Sequence, residues 1–481
     1  MLKKDIILFL SFAMVWLMAA CQDDDSFTTS PSNLLTFSTD TVKLDTLFSN
    51  VPSAAKTLWA FNRSGDGLRC TSIRLERGAQ SGFRVNVDGI YLGEDNDYST
   101  NEVEVRNKDS IRMFIEATLP TASIATPEEQ SDNLIFTLES GVEQRVNLNA
   151  WAWNARLLRN VHITKDSTLD ASTTPTVIYG DIRVDSGATL TITPGSTLYF
   201  HSDAGMDVYG RLRSIGTAGN GILLRGDRID HMFNYLPYDR VPAQWMGVRF
   251  HSSSFDNELR YTELHSTNTA ITVDSSDVAR QTLLLSHATI HNCQGYGLVT
   301  TNAKVTLENV QITNTLNDCL LVNGGDVSVN NATLAQFYPF DSQRGAALAF
   351  NNSYPIVGLS VTNSLLTGYA DDVLMRSAVD TTALDHYLFD YCIIRTPKVT
   401  TADSVHFTNV IYEDVKDTTT MGEKHFYKID TDNLIYDFRL DSVSAAIGKA
   451  NPATALPDDR LGMIRKKTPD IGAYEYIKPE D

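Results

Sequence analysis

Three groups of side chains in this 481-residue chain have the types and spacing that chemistry requires. Asp371-Asp372, with Arg376 close behind, is the best local cluster of acid and cation. Two carboxylates across a glycosidic bond hydrolyse it, whereas a Lys, Arg or His base with Ca²⁺ or Arg on a uronate eliminates across it. Adjacent strand residues point to opposite faces, so both aspartates share a site only within a turn; a solvated turn is the plain alternative. Asp318 and Asp326 lie in other turns and join only if stacking brings them near. His287 and His291 stand at the i, i+4 spacing of a helical zinc pair. Their segment reads as strand, where four residues span roughly 13 Å, so no metal site is expected. The stretch from Arg228 to Trp245 concentrates Phe233, Tyr235 and Tyr238 beside Asp239 and Arg240. Aromatic faces there would pack on a sugar ring while Asp and Arg bind its hydroxyls; the alternative is a loop folded back over the core. No cofactor is implied.

The balance of 40 Lys and Arg against 59 Asp and Glu, a formal charge of −19, opposes a field that attracts nucleic acid or anionic lipid. Hydrophobic residues at 42% and charged residues at 21% are enough for a packed core and exclude wholesale disorder. Cysteines at 21, 70, 293, 319 and 392 are too few for a disulfide scaffold and lack metal-ligand spacing. Cys293, Cys319 and Cys392 read as buried small apolar residues, and spacing leaves their disulfide state open.

Elements that would position these groups begin after an N-terminal leader. Lys3 and Lys4, the apolar run Ile6 to Leu17, and Met18-Ala19-Ala20 ahead of Cys21 resemble a bacterial lipoprotein signal. The resemblance implies removal of residues 1–20 and lipid on Cys21, where several acyl chains anchor stably. An ordinary secretory signal with an incidental cysteine is the alternative. Gln22-Asp23-Asp24-Asp25 resembles the surface-export signal of Bacteroidetes lipoproteins, which implies the outer face of the outer membrane; a solvated tether competes. Residues 21–34 read as an acidic and Ser/Thr/Pro-rich tether. No second apolar stretch is long enough to span a bilayer.

Residues 35–155 alternate as short strands, among them Lys56 to Phe61, Phe83 to Val87 and Ile111 to Ile115, punctuated by turns such as Asp88-Gly89, and predict a β-sandwich. The segments Phe37 to Val42, Ser81 to Gly89 and Trp151-Ala152-Trp153 resemble an immunoglobulin-like module at the front of Bacteroidetes surface lipoproteins, implying a spacer without catalysis. From 156 to 440 short apolar strands recur. His287 to Ile290, Asn309 to Ile312 and Asn331 to Leu334 are offset by 22, and Asn363 to Leu366 follows at 32, with Phe337 to Arg344 as an extruded loop. That period predicts a right-handed parallel β-helix, a pectate-lyase-like solenoid with Ile290, Ile312 and Leu334 stacked inside. Gly180-Asp181-Ile182, Gln244 to Phe250 and the Asn-x-x-Ile repeats are similar to parallel β-helix repeat proteins of Bacteroidetes. Within 441–481, Asp459-Arg460-Leu461-Gly462, Arg465 and Pro469 to Glu475 resemble their choice-of-anchor Q closing segment.

An all-β lipoprotein follows, whose β-helix binds glycans or presents a surface to them or to other macromolecules without catalysis. A polysaccharide lyase or glycoside hydrolase on the same scaffold is the alternative. A structural component, or an adhesin for host protein, is the third reading. The partners implied are the outer membrane, through the lipid, and a polysaccharide.

Overall fold

A computed structural model describes residues 26–124, 126–233, 235–379 and 385–478. Cys21 and the acidic run behind it lie outside the described residues. The chain divides into two compact units, Met1–Asn154 and Ala155–Asp481.

The first unit is a two-sheet sandwich. One sheet has the order Leu35–Phe37, Lys56–Asn62, Ser110–Ala117, Phe83–Val87, Ile90–Leu92; the other runs Thr41–Phe48, Glu143–Trp153, Glu128–Leu138, Leu68–Leu75, Ser99–Thr100. Alternation builds the core: Phe83, Val85 and Val87 are buried while Arg84 and Asn86 are half out, as a pleat with one solvated face requires. Leu58, Ile73, Met113, Phe136 and Leu148 of the two sheets meet in one apolar cluster. Asp88-Gly89, both at positive φ, turn the hairpin between Val87 and Ile90, where such backbone favours Asp and Gly.

The second unit is a parallel β-helix, and its 26 strands form one continuous hydrogen-bonded sheet. Three ladders run along it. Ladder A contains Thr197–Phe200, Ile222–Gly226, Thr262–His265, Thr289–Cys293, Gln311–Thr315, Thr333–Gln336 and Leu365–Gly368. Ladder B includes Met206–Val208, Val248–Phe250, Ile271–Val273 and Leu298–Thr301. Ladder C includes Arg211–Ile215, Asn257–Arg260, Gln281–Ser286 and Lys304–Glu308.

Inside ladder A an unbroken aliphatic column passes through Leu224, Leu264, Ile290, Ile312, Leu334 and Leu366, each stacked on the next and fully buried. The expected stacking of Ile290, Ile312 and Leu334 is therefore present. Asn309, Asn331 and Asn363 occupy the bend from ladder C to ladder A with φ of 53°, 50° and 49°. Asn tolerates this left-handed backbone better than most residues, which explains why it recurs at the coil period.

Two boundaries differ from expectation. The parallel ladders end at Ile411–Tyr412, and Phe426–Asp430 with Ile435–Leu440 make a separate antiparallel hairpin. Phe337 and Tyr338 are buried and do not belong to an extruded loop. Phe337 packs edge-on against Tyr369 and Phe426, because the hairpin and the chain after it cover the outer side of ladder A and need apolar partners there.

That closing segment runs back along the Asn column. Asn331 accepts from Leu456 N at 2.9 Å, Asn363 accepts from Asn451 N at 2.8 Å, and Asn309 donates to the Asp458 carbonyl at 3.0 Å. Arg465, 8% exposed, is its hub. Its guanidinium donates to the carbonyls of Asp458, Asp470 and Gly472 and to Asn309 Oδ1 at 2.9–3.1 Å, and lies 3.4 Å from Glu475. The charged residues of this segment thus satisfy one another and the coil bends.

Candidate functional site

The structure separates the acidic cluster expected from sequence. Asp372 accepts from Leu374 N and, at 2.7 Å, from the Thr396 hydroxyl, capping a turn. Asp371 is exposed. Arg376, on a ladder-B strand, pairs instead with Asp385 and Asp403, at 3.0 Å each. These three residues form no common site, because a turn aims the aspartates away from the strand that carries Arg376.

His287 and His291 also part company, and not by the distance along one strand. His287 sits at the ladder C to A bend at φ 55°, 3.2 Å from Asp458, while His291 lies on the strand beyond it. Cys70, Cys293, Cys319 and Cys392 are free and buried. Burial pushes the Cys293, Cys319 and Cys392 thiols up to about 12, so they are inert.

The insertion from Arg228 to Trp245 leaves the coil between ladders A and B. Its roots are cover: Trp245 is fully buried, stacks on Phe200 at 4.3 Å and donates to the His265 carbonyl. Tyr238 lies beneath the Arg228 guanidinium at 4.0 Å. Arg240 donates to the Asn433 carbonyl in the turn of the closing hairpin, and Asp239 pairs with Arg225 at 2.6 Å. The tip is different. Phe233 and Tyr235 are 52% and 77% exposed and stack at 5.7 Å with 12° between their planes. Of the five residues proposed from sequence as ligand contacts, these two alone combine an exposed ring with a neighbouring one.

Where the chain returns from the insertion, a groove of about 310 Å³ opens along ladder B, lined by Asp181, Gly205, Asp207, Met246, Gly247 and Arg249 among others. Its origin is a column of small residues. The register Ile182↔Met206↔Val248↔Ile271 puts Asp181, Gly205, Gly247 and Ala270 one above another. A Cβ on Gly247, at φ 91°, would lie 1.9 Å from the Thr269 carbonyl oxygen, so glycine is required there. With glycines at the next two places of its column, Asp181 accepts from Gly205 N at 3.1 Å and is left open to the groove, beside the Met246 side chain.

Asp207 lies one coil on and two residues along, hence on the same face, with its Cα roughly 8 Å from that of Asp181 by strand geometry. Desolvation, then the charge of Asp207, raises the Asp181 carboxyl above the ordinary range, against the Gly205 amide. Asp207 is 2.7 Å from His251 Nε2, and His251 Nδ1 faces Asp274 at 3.3 Å. The imidazole lies flat on Tyr209 at 3.8 Å. One carboxyl thus faces the groove with its pKa raised, and its neighbour is held by an oriented imidazole, so the two aspartates have different surroundings. Neither aspartate stands out in the sequence. The only sign is the coil offset of 24 that aligns Val184 with Val208.

A second polar cluster lies under the insertion on ladder A. His265 and His291 are register partners with rings 4.8 Å apart, and Glu263 precedes His265 by two residues on the same face. Burial opposes ionisation of Glu263, but the hydrogen bond and charge of His291 outweigh it and bring the carboxyl down to about 2. Burial, then the charge of His291, pushes His265 down to about 3.

The sequence matches no protein-family model, and no curated protein matches it. Among solved structures, the catalytic domain of a family 87 α-1,3-glucanase in complex with tetrasaccharides is 10% identical over 74% of this chain and 88% of that one, with a TM-score of 0.29. The catalytic unit of the family 87 α-1,3-glucanase from Streptomyces thermodiastaticus is 10% identical over 74% and 89%, at 0.26. A family 123 glycoside hydrolase from Clostridium perfringens matches over 25% of this chain and 26% of its own length, at 8% identity and 0.17.

Proposed function

We propose that this chain acts on a polysaccharide as a β-helix glycoside hydrolase. The observation that carries the reading is the Asp181–Asp207 pair in the glycine-opened groove. Asp181 protonates the glycosidic oxygen, and Asp207, oriented by His251, activates water on the far side of the sugar ring. An inverting pair holds its carboxyl groups roughly 6.5–9.5 Å apart, with room for that water, and a retaining pair about 5–5.5 Å, so the anomeric configuration of the first product tests the assignment of Asp207 as base. The cations that face this pair are engaged: Arg249 pairs with Asp274 at 3.0 Å and His251 lies between Asp207 and Asp274. Elimination at this place would need Ca²⁺ or a released arginine on a uronate, and a release of unsaturated rather than saturated ends would reveal it.

A second reading, binding without turnover, is favoured by the exposed Phe233–Tyr235 pair, which serves as a platform whether or not the aspartates react. One experiment separates the two. The purified protein is incubated with a panel of neutral and acidic polysaccharides, and both retention and new reducing ends are measured. Hydrolysis that falls about 10²- to 10⁴-fold in Asp181→Asn and Asp207→Asn, with retention unchanged, supports the first reading. Retention without new ends selects the second. Neither retention nor cleavage rejects both and returns the structural or protein-adhesion role.

The proposal places this activity at the outer face of the outer membrane, with an immunoglobulin-like N-terminal unit as spacer and lipid on Cys21. The support is the leader and the acidic run in the sequence. Cys21→Ala should release the protein or stall its processing. Neutralising Asp23 to Asp25 should keep it membrane-bound but shielded from external protease, and equal protease access would sink the export claim.

A further inference from the structure

We infer that Glu263, His265 and His291 form a binding site for a divalent transition-metal ion, with zinc as the best-suited ion. Their ligand atoms all lie within 4.8 Å of one another. His291 Nε2 is 3.1 Å from Glu263 Oε1 and His265 Nε2 is 3.9 Å from the same oxygen. Ligand atoms of a tetrahedral zinc with bonds of about 2.0–2.1 Å are roughly 3.3 Å apart. From the 4.8 Å limit the cluster therefore needs a contraction of no more than about 1.5 Å to reach that spacing.

The fold itself imposes the convergence. The parallel register stacks the two imidazoles on neighbouring coils, and the two-residue step from His265 to Glu263 keeps the carboxylate on their face. An outer partner sets one ring: His265 Nδ1 is 2.9 Å from the Ser266 hydroxyl, leaving Nε2 directed at the carboxylate, the arrangement that orients a metal-bound histidine. Ser266 is held in turn by donating to the Asp239 carbonyl at 3.1 Å. Access is one-sided. The His265 side chain is 3% exposed, whereas those of Glu263 and His291 are 40% and 24% exposed.

Two imidazoles and one carboxylate are a donor set for zinc, which takes three protein ligands and leaves a fourth position for water or another ligand. Magnesium and calcium prefer all-oxygen shells and are not expected to compete. Asp239 Oδ1 lies 3.5 Å from His265 Nε2 and also holds Arg225. A metal here would tie the insertion root to ladder A. The site is separate from the Asp181–Asp207 groove and independent of the activity proposed for it.

The test is titration calorimetry of the full-length protein, freed of metal with chelator, against zinc chloride, with magnesium chloride as control, and visible spectroscopy with cobalt(II). The expected result is one zinc per chain, no magnesium heat, and the intense ligand-field bands of four-coordinate cobalt. His291→Ala and Glu263→Gln should each weaken zinc binding by more than about 100-fold, beyond the roughly 10- to 100-fold that an outer partner such as Ser266 is worth. His287→Ala should leave binding unchanged. Circular dichroism establishes that each variant folds, and the wild-type cobalt spectrum stands without any variant. Absence of zinc binding and of cobalt bands in the wild type overturns the site. Binding of equal strength in wild type, His291→Ala and Glu263→Gln also overturns it, leaving the cluster as a Glu–His ion pair.

Discussion

Replacing Arg465 by Met should destabilise the β-helix unit by about 3 kcal/mol. Breaking a buried ion pair from one side costs roughly 3–5 kcal/mol, mostly because the surviving charge is left without a partner. Here the two side chains are 2% and 3% exposed. The lower part of that range applies because, apart from Asn309 Oδ1, the other groups around Arg465 keep second partners. The Asp458 carbonyl still accepts from Asn309 at 3.0 Å, and the Asp470 and Gly472 carbonyls accept from Asn331 at 3.4 and 3.5 Å. Glu475 retains the amides of Asp470 and Lys466 at 3.1 and 3.2 Å. Lys466 Nζ also stays 3.8 Å from Glu475, so what goes is the nearer, buried guanidinium charge beside the carboxylate. Urea unfolding should show the transition of the β-helix unit moved to lower denaturant while that of the sandwich stays in place. The double variant Arg465→Met, Glu475→Gln should recover roughly 1–2 kcal/mol, since the buried carboxylate charge is then gone. A single-variant loss below about 1 kcal/mol, or a double variant as weak as the sum of the singles, would refute the hub role of Arg465.

Ile312→Ala should cost about 3–4 kcal/mol within the usual 2–5 for a buried aliphatic, because Ile290 and Leu334 clamp it from both sides and neither coil can collapse into the space; urea midpoints measure this. Tyr235→Ala should leave stability within about 0.5 kcal/mol yet weaken retention on polysaccharide, whereas Tyr238→Ala, under Arg228, should lower the melting temperature. In protein freed of metal with chelator, acidification should destabilise the β-helix unit through His265. Burial and the charge of His291 lower its folded pKa to about 3 from the ordinary 6.5, so its contribution is complete above the unfolded value and is lost as pH falls from about 6.5 toward 3. Glu263, also depressed, adds loss of the same sign below the ordinary 4.5. His265→Gln should therefore flatten the decline in urea midpoint between pH 7 and 5, and equal slopes in variant and wild type would reject the assignment.

The repeat was legible in the sequence because a β-helix core is local in register. Ile290, Ile312 and Leu334 recur at 22 since each coil must return an aliphatic residue to the same place, and Asn309 and Asn331 recur with them because the bend demands a left-handed backbone. The sandwich strands were legible for a similar reason, through their period of two. The candidate sites were not. Asp181 and Asp207 belong to different coils, and they meet in an open groove only because Gly205 and Gly247 leave their column without side chains. Glu263 and His265 looked like ordinary strand residues until the register placed His291 above them.

The insertion shows both limits at once. Its aromatic and charged composition marked it as unusual, but composition does not say which rings face water: Tyr238 went under Arg228 while Tyr235 stayed 77% exposed. The closing segment went further, since its Asp, Arg and Glu residues, notable in the sequence only for the resemblance they carry, prove to be partners of one another. Local periodicity, steric limits on φ and the alternation of apolar residues determined from sequence alone that the chain builds a sandwich and then a solenoid. Which polar groups would share a site, and which would be consumed in holding the coils closed, was decided by coil register and by what packed over it, because both depend on contacts between residues far apart in the chain.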